Sequence, residues 1–356
     1  MMKRKAMAIT LTAAMLAGLA AVPVWADDAD SDEGKVLNIY CWNEEFKSRI
    51  TAHYPDYKEV DATHGKIGDV DVVWNITPND DNAYQNNLDA TLLNQADAPA
   101  DDKIDIFLVE ADNALKYVDT DYTMPIKDLG ITDDDLSKQY QYTKDIVTDS
   151  NGVLKGLSWQ GCPGVLFYNR DAAKEVLGTD DPDKVQEALS TWDKFDKVAE
   201  QAAAKGYKML SGYDDSYRVF SNNVSAPWVD SNNKIVIDDN IMKWVDQTKK
   251  YTDKGYNNKS SLWDSTWAAD QGPSGKVFGF FYSTWGINFT LAGNSLAVKE
   301  KEGGKLEVGN GGYGDWAVCY GPQAYFWGGS WLAAAKGTDN ATLVGDVMRA
   351  FCCDKD

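Results

Sequence analysis

Histidine is almost absent: His53 and His64 are the only two in 356 residues. Five cysteines, Cys41, Cys162, Cys319, Cys352 and Cys353, are an odd number without metal-knuckle spacing. A zinc site therefore lacks its usual ligands, and no metal or cofactor is expected. Basic residues are outnumbered, 35 Lys and Arg against 55 Asp and Glu, for a formal net charge of −20. A surface of that sign repels phosphate backbones and anionic lipids, which argues against nucleic acid as a partner. Past the first two dozen residues, no stretch approaches the roughly 20 apolar residues that a bilayer span needs. No Gly-x-Ser-x-Gly elbow occurs, and the two histidines sit in what reads as loop, without a partner motif.

What is there begins with Lys3, Arg4 and Lys5, followed by an apolar run over 6–24 and then Val24, Trp25 and Ala26 ahead of Asp27. A basic start, a short greasy core and small residues at the cut make a secretory signal peptide, 1–26, cleaved after Ala26. Thr10 and Thr12 interrupt the run, Pro23 lies near its end and no cationic flank follows, which argues against a membrane anchor. The chain is expected to be exported, to a periplasm or an extracellular cell surface. Cys41 is the first cysteine and lies well past the cut, so no lipid anchor through an N-terminal cysteine is expected. Losing three basic and no acidic side chains with the leader takes the charge from −20 to −23. Export permits a disulfide, and the spacing leaves the pairing open.

Residues 27–34 are acidic and apolar-poor and read as a disordered leash. The remaining 320 or so exceed the roughly 100 to 200 of one domain and favour two. Apolar runs at 36–41 and 104–109 predict strands, with further candidates at 154–157 and 164–169. Residues 183–205 predict one long amphipathic helix stopped by Gly206, and 240–254 predict another. The alternation of strand and helix predicts an α/β architecture with a parallel sheet.

From Tyr207 onward the chain turns aromatic, and it holds 13 tryptophans in all. A sugar ring offers an apolar C–H face and a rim of hydroxyls, so its site needs flat aromatic faces with carboxylates and amides beside them. An indole that covers roughly 100 Å² of C–H face contributes about 2 kcal/mol at about 25 cal/mol per Å². Carboxylates accept from hydroxyls with charge-assisted strength. Trp285 is the leading candidate, since it follows an apolar strand and precedes Gly286, which would let a ligand approach the backbone. Trp42, Asn43 and Glu44 close the first strand, where open α/β sheets bind ligands. Glu110 and Asp112 follow the second strand, either as ligand contacts or as caps of the helix near Asn113. Asp214 and Asp215 form another acidic candidate pair, with a solvated turn as the competing reading. Trp228, Trp263 with Asp264, and Trp327 are candidates that core packing would equally explain. Trp159 and Gln160 could reach the site from below, whereas Trp192, Trp244 and Trp316 read as packing residues.

Six segments carry a resemblance. Residues 37–44 look like an opening strand with a ligand-facing loop, and 105–112 like a strand that delivers a polar contact. Residues 155–170 look like a crossover between lobes, and Thr191, Trp192 and Asp193 like a Thr-Trp-Glu helix start. Residues 275–280 with Ser283, Thr284, Trp285 and Gly286 look like a "small residue, Trp" ligand loop, and 328–332 like a strand crossing back. In that order and spacing, over 36–348, the chain resembles family 1 ABC-transporter solute-binding proteins, the maltose-binding-like group.

The resemblance implies a two-lobed, type II periplasmic-binding-protein-like α/β fold, each lobe a β-sheet flanked by helices. Lobe 1 would comprise 35–162 plus 328–356, and lobe 2 163–327, with hinges near 162–165 and 326–329. It implies a monomer without catalytic residues that closes on a carbohydrate, an oligosaccharide by the number of tryptophans, and hands it to the membrane subunits of an ABC importer. It also predicts helices beyond the one at 342–351, so the C-terminal helices read as truncated at Asp356. Two other readings share features of the sequence. Polyamine binders of similar architecture use aromatic boxes and acids, and resemble the chain at 38–42. A secreted glycoside hydrolase would need two carboxyls roughly 5 to 9.5 Å apart, for example Glu110 and Asp214, and no local pattern marks either as a raised acid.

Overall fold

The computed structural model describes residues 34–354, so the expected leader 1–26 and all but the last residue of the leash 27–34 lie outside the described residues. The chain divides into two compact units, one of residues 34–161 with 329–354, the other Cys162–Gly328. The first carries β1 (Val36–Cys41), β2 (Tyr57–Glu59), β3 (His64–Ile67), β4 (Val70–Ile76), β5 (Ile106–Glu110) and β6 (Leu157–Ser158). The second carries β7 (Gly164–Asn169), β8 (Gly279–Ser283) and β9 (Trp316–Cys319), after which β10 (Ser330–Ala334) rejoins the first.

In the first unit seven strands form one sheet in the order β2-β3-β4-β1-β5-β10-β6. Alternate residues of the central strands enter opposite cores, because successive side chains on a strand point to opposite faces. Ile106, Leu108, Leu332 and Ala334 pack with Phe46 and Ile50 of the helix Glu45–His53 and with Val344, Val347 and Met348 of the helix Ala341–Cys352. Phe107, Val109, Trp331 and Ala333 pack with Tyr84, Leu88 and Leu92 of the helix Ala83–Leu92 and with Tyr117 and Val118. Helices thus cover both faces.

The sheet is mixed rather than parallel. β1 is parallel to β4 and β5, but β2, β3 and β4 meander antiparallel, and β10 is antiparallel to both β5 and β6. The two residues between β3 and β4 suffice only for an antiparallel hairpin, a constraint that strand and helix order alone does not reveal. The strand expected at 154–157 reduces to Leu157–Ser158, and Leu154 makes only an isolated bridge to Thr148. His53 ends a helix and His64 opens β3, where the sequence read as loop.

In the second unit β8, β7 and β9 form a three-stranded antiparallel sheet. The single helix expected over 183–205 is two, Pro182–Leu189 and Trp192–Ala204. Thr191 is extended between them, and its side chain accepts the Lys194 N–H at 3.3 Å, so a cap interrupts an otherwise continuous apolar periodicity. The helix Asp239–Lys254 is capped by Asp238 and stops at Gly255, φ +71°. Trp192 stacks on Phe220, Trp244 packs edge-on against Tyr217, and Trp316 against Phe280.

Asp105, fully buried just before β5, ties three segments of the first unit together. One carboxylate oxygen accepts the Asn38 N–H at 2.7 Å, and the other accepts from the Thr338 hydroxyl and from Asn340 Nδ2 at 3.2 Å. Burial pushes its pKa up to about 7, against the pull of those donors. A raised carboxyl binds its proton in the folded state at pH values where the unfolded chain has lost it. Its contribution to stability is therefore greatest below the ordinary carboxylate value and is lost as pH rises toward 7. Urea unfolding between about pH 5 and pH 8 should show stability falling, on the order of 1.4 kcal/mol per pKa unit traversed. Asp105→Asn should reduce that slope, most clearly between about pH 6 and pH 7, and an unchanged slope there in the variant would remove Asp105 as its source.

Candidate functional site

The candidate residues of the first unit gather at one end of its sheet. β1 and β5 are adjacent and parallel, so Trp42 to Glu44 and Glu110 to Asp112 leave the same carboxyl-terminal edge. β10 begins there, with Ser330 opposite Glu110, and β6 ends there, which adds Trp159 and Gln160. Trp42 is half-buried and meets Tyr84 edge to face at 5.4 Å. The Asn43 side chain accepts the Glu45 N–H at 3.0 Å, and Gln160 Nε2 donates to Glu45 at 3.1 Å, which fixes the entry to the helix Glu45–His53. Glu44 is exposed beside them. Glu110 accepts the Asp112 N–H at 2.8 Å and so caps the turn that follows β5, leaving Asp112 exposed at its start. Trp159 lies against Phe46 at 5.5 Å, with its Nε1 buried and without a hydrogen-bond partner.

In the second unit Trp263, Trp285 and Trp327 come together at the end of β8. Trp285 and Trp327 meet edge to face at 5.2 Å, and Trp285 Nε1 donates to the Trp327 carbonyl at 2.8 Å. Trp263 stacks near-parallel on Trp285 at 5.9 Å and meets Trp327 edge-on at 6.0 Å. Tyr282 supports the group from the sheet, stacked on Trp327 at 5.9 Å and edge-on to Trp285 at 5.7 Å. Trp263 is 55% exposed although it holds φ +71°, a conformation that costs a bulky residue about 1 to 3 kcal/mol and that clusters at functional sites.

The acids around these rings hold the scaffold. Asp214 accepts the Leu262 N–H at 3.0 Å, and Asp264 accepts from Ser261 at 2.9 Å and Trp267 at 2.7 Å, so the turn that presents Trp263 is fastened on both sides. Those N–H donors hold the Asp264 carboxyl below the usual range. Asp215 is buried and accepts three: Ser211 N–H at 2.7 Å, Gly212 N–H at 2.8 Å and Trp267 Nε1 at 2.9 Å. Burial raises its pKa to about 6 despite them. Asp215 is therefore neither a solvated turn residue nor presented to solvent.

Trp228 is exposed but makes no ring contact with the other three among the described residues. Gly286 has a different reason from the one its sequence suggested. Its φ is an ordinary −61°, and a Cβ there would come within 2.5 Å of the Tyr282 ring, so the position is closed by packing rather than opened for a ligand. Sequence reasoning missed Tyr282, Trp267, Phe289 and Arg218. Phe289 meets Trp285 edge to face at 6.1 Å, and Arg218 lies over the Trp327 ring at 5.8 Å. Only the proximity of Tyr282 and Phe289 to Trp285 in the chain could have signalled them. Among the described residues no group of three or more His, Cys, Asp or Glu is placed to hold a metal ion.

The chain belongs to the bacterial extracellular solute-binding protein family, whose model matches residues 66–356. Similar solved structures share its two-lobed α/β fold. A crystal structure of an extracellular solute-binding protein of family 1 aligns with a TM-score of 0.67 at 16% identity, over 88% of this chain and 74% of that one. The galacto-N-biose/lacto-N-biose I-binding protein of the ABC transporter from Bifidobacterium longum, in complex with lacto-N-biose, aligns with a TM-score of 0.62 at 15% identity, over 90% and 75%. Maltose-bound MalE3 of T. maritima aligns with a TM-score of 0.57 at 14% identity, over 88% and 76%. No curated protein matches the sequence. The family is one of extracytoplasmic binding proteins, and among the described residues no helix is long and apolar enough to cross a membrane.

Asp215→Ala strands three buried N–H groups and should lower stability by about 3 kcal/mol or more in urea unfolding. Trp228→Ala, at an exposed position, should change it by about 0.5 kcal/mol or less. Equal costs for the two would contradict the division between scaffold and surface.

Proposed function

We propose that this chain is an exported receptor that captures a carbohydrate, an oligosaccharide in particular, and delivers it to the membrane subunits of an ABC importer without transforming it. The observation that carries the reading is the group of Trp263, Trp285 and Trp327 gathered at the end of β8, with one strained and exposed indole fastened in place. Flat, rigid aromatic faces suit the C–H surface of a pyranose. The carbohydrate ligands named for the similar solved structures support the same class. Candidate hydrogen-bonding groups in the first unit are Asn43, Glu44, Glu110, Asp112 and Gln160, with Trp42 and Trp159 as further rings.

The reading takes lobe 1 as 35–162 plus 328–356 and lobe 2 as 163–327, closing about crossovers near 162–165 and 326–329. Only a ligand that interacts differently with the open and closed forms would shift that equilibrium. The receptor is taken as a monomer, located in a periplasm or at a cell surface. A polyamine would need carboxylates turned toward the rings. Asp214, Asp215 and Asp264 instead accept backbone and indole N–H groups, which favours a neutral ligand.

Calorimetry on residues 27–356 with mono- and oligosaccharides, spermidine and putrescine tests the reading. Binding to at least one saccharide is expected, with no release of product sugars on prolonged incubation. Binding confined to the polyamines, or turnover of a glycan, would overturn it. Trp285→Ala should weaken the saccharide by about ten- to a hundredfold with the thermal transition retained.

A further inference from the structure

We infer that Phe289 sets ligand length at this site, as an aromatic wall that engages a second sugar ring beside the one on the tryptophans. The inference rests on the carbohydrate reading and adds a residue that the tryptophan pattern did not single out. Phe289 is 74% exposed. A lone exposed phenylalanine needs no explanation, but this one is held in a built position. It lies on a π-helical turn, Ile287–Leu291, separated from Trp285 only by Gly286, and such turns occur frequently at functional sites. The turn is anchored from within: Thr290 donates to the Tyr282 hydroxyl at 2.8 Å, which in turn donates to the buried Gln271 at 3.2 Å. The same Tyr282 supports Trp285 and Trp327, so Phe289 is fixed relative to the indoles.

The ring planes define what the wall can do. Trp263 and Trp285 are within 20° of parallel, whereas Phe289 stands at 81° to Trp285 with centroids 6.1 Å apart. Trp285 thus has two exposed ring neighbours at similar distances, Trp263 near-parallel at 5.9 Å and Phe289 near-perpendicular at 6.1 Å. A monosaccharide resting on the indoles does not require Phe289. A second ring turned relative to the first would cover Phe289 and remove its apolar face from water. Because the turn is already anchored, little ordering cost offsets that gain.

The test compares glucose, maltose and maltotriose, and galactose, β-1,6-galactobiose and lacto-N-biose, by calorimetry on wild type, Phe289→Ala, Phe289→Tyr and Trp285→Ala. Wild type is expected to bind a di- or trisaccharide more tightly than its monosaccharide. Phe289→Ala should lose about tenfold in affinity for the longer ligand with the monosaccharide unchanged, and Phe289→Tyr should restore it. Thermal melts confirm that each variant folds, and Phe289→Leu, which keeps apolar bulk without a ring, substitutes if the alanine variant does not. Loss of affinity in Trp285→Ala but none in Phe289→Ala overturns the role of Phe289 and leaves the carbohydrate reading standing. Tightest binding of a monosaccharide has the same consequence. Binding of no saccharide by wild type overturns both.

Discussion

Three strands make a narrow platform, and the second unit compensates by packing rings on and around it. Tyr282 is the point where that packing converges. It stacks on Trp327, meets Trp285 and Trp267, and ties its hydroxyl to Gln271 and Thr290. Aromatic contacts of this geometry contribute about 0.5 to 1.5 kcal/mol each beyond their buried area. Gly286 is a consequence of the same constraint, since any side chain there would enter the Tyr282 ring. The exposed rings of the candidate site, Trp263 and Phe289, inherit their positions from this buried one through Trp285.

Polar groups provide the second layer of support. Around the tryptophans, acids accept N–H groups and fix the turns that present aromatic faces, as Asp215 does for Trp267 and Asp264 for the Trp263 turn. The first unit uses the same device at the carboxyl edge of its sheet, where Asn43 and Glu110 close short turns behind Trp42 and after β5. Caps of this kind contribute about 1 kcal/mol each and fix direction as much as stability. They also explain how an acidic chain can place few of its carboxylates against the indoles of the second unit.

What was legible in the sequence was chiefly apolar periodicity. β1, β5 and β7 and the helix Asp239–Lys254 are nearly where their patterns put them, and Trp285 stands at a strand end as its neighbours implied. Strand direction was not legible, because a two-residue hairpin and a strand arriving from another unit leave no mark on hydrophobic spacing. Nor was the break at Thr191, where a single side-chain cap outweighs helical periodicity. Acids near tryptophans were ambiguous for a related reason: a carboxylate that holds a buried N–H and one that awaits a ligand hydroxyl have the same sequence. Phe289 escaped notice because nothing in Asn288-Phe289-Thr290 announces a π turn.

The central claim is that Trp263 and Trp285, packed on the buried Trp327 at the end of β8, form the face on which a sugar ring rests. A crystal structure of the chain with a bound oligosaccharide tests it most directly. A pyranose C–H face is expected against Trp285 or Trp263, with Asp215 still bonded to Trp267 and absent from the ligand's contacts. A ligand held away from all three indoles, or one bonded directly to Asp215, would contradict it.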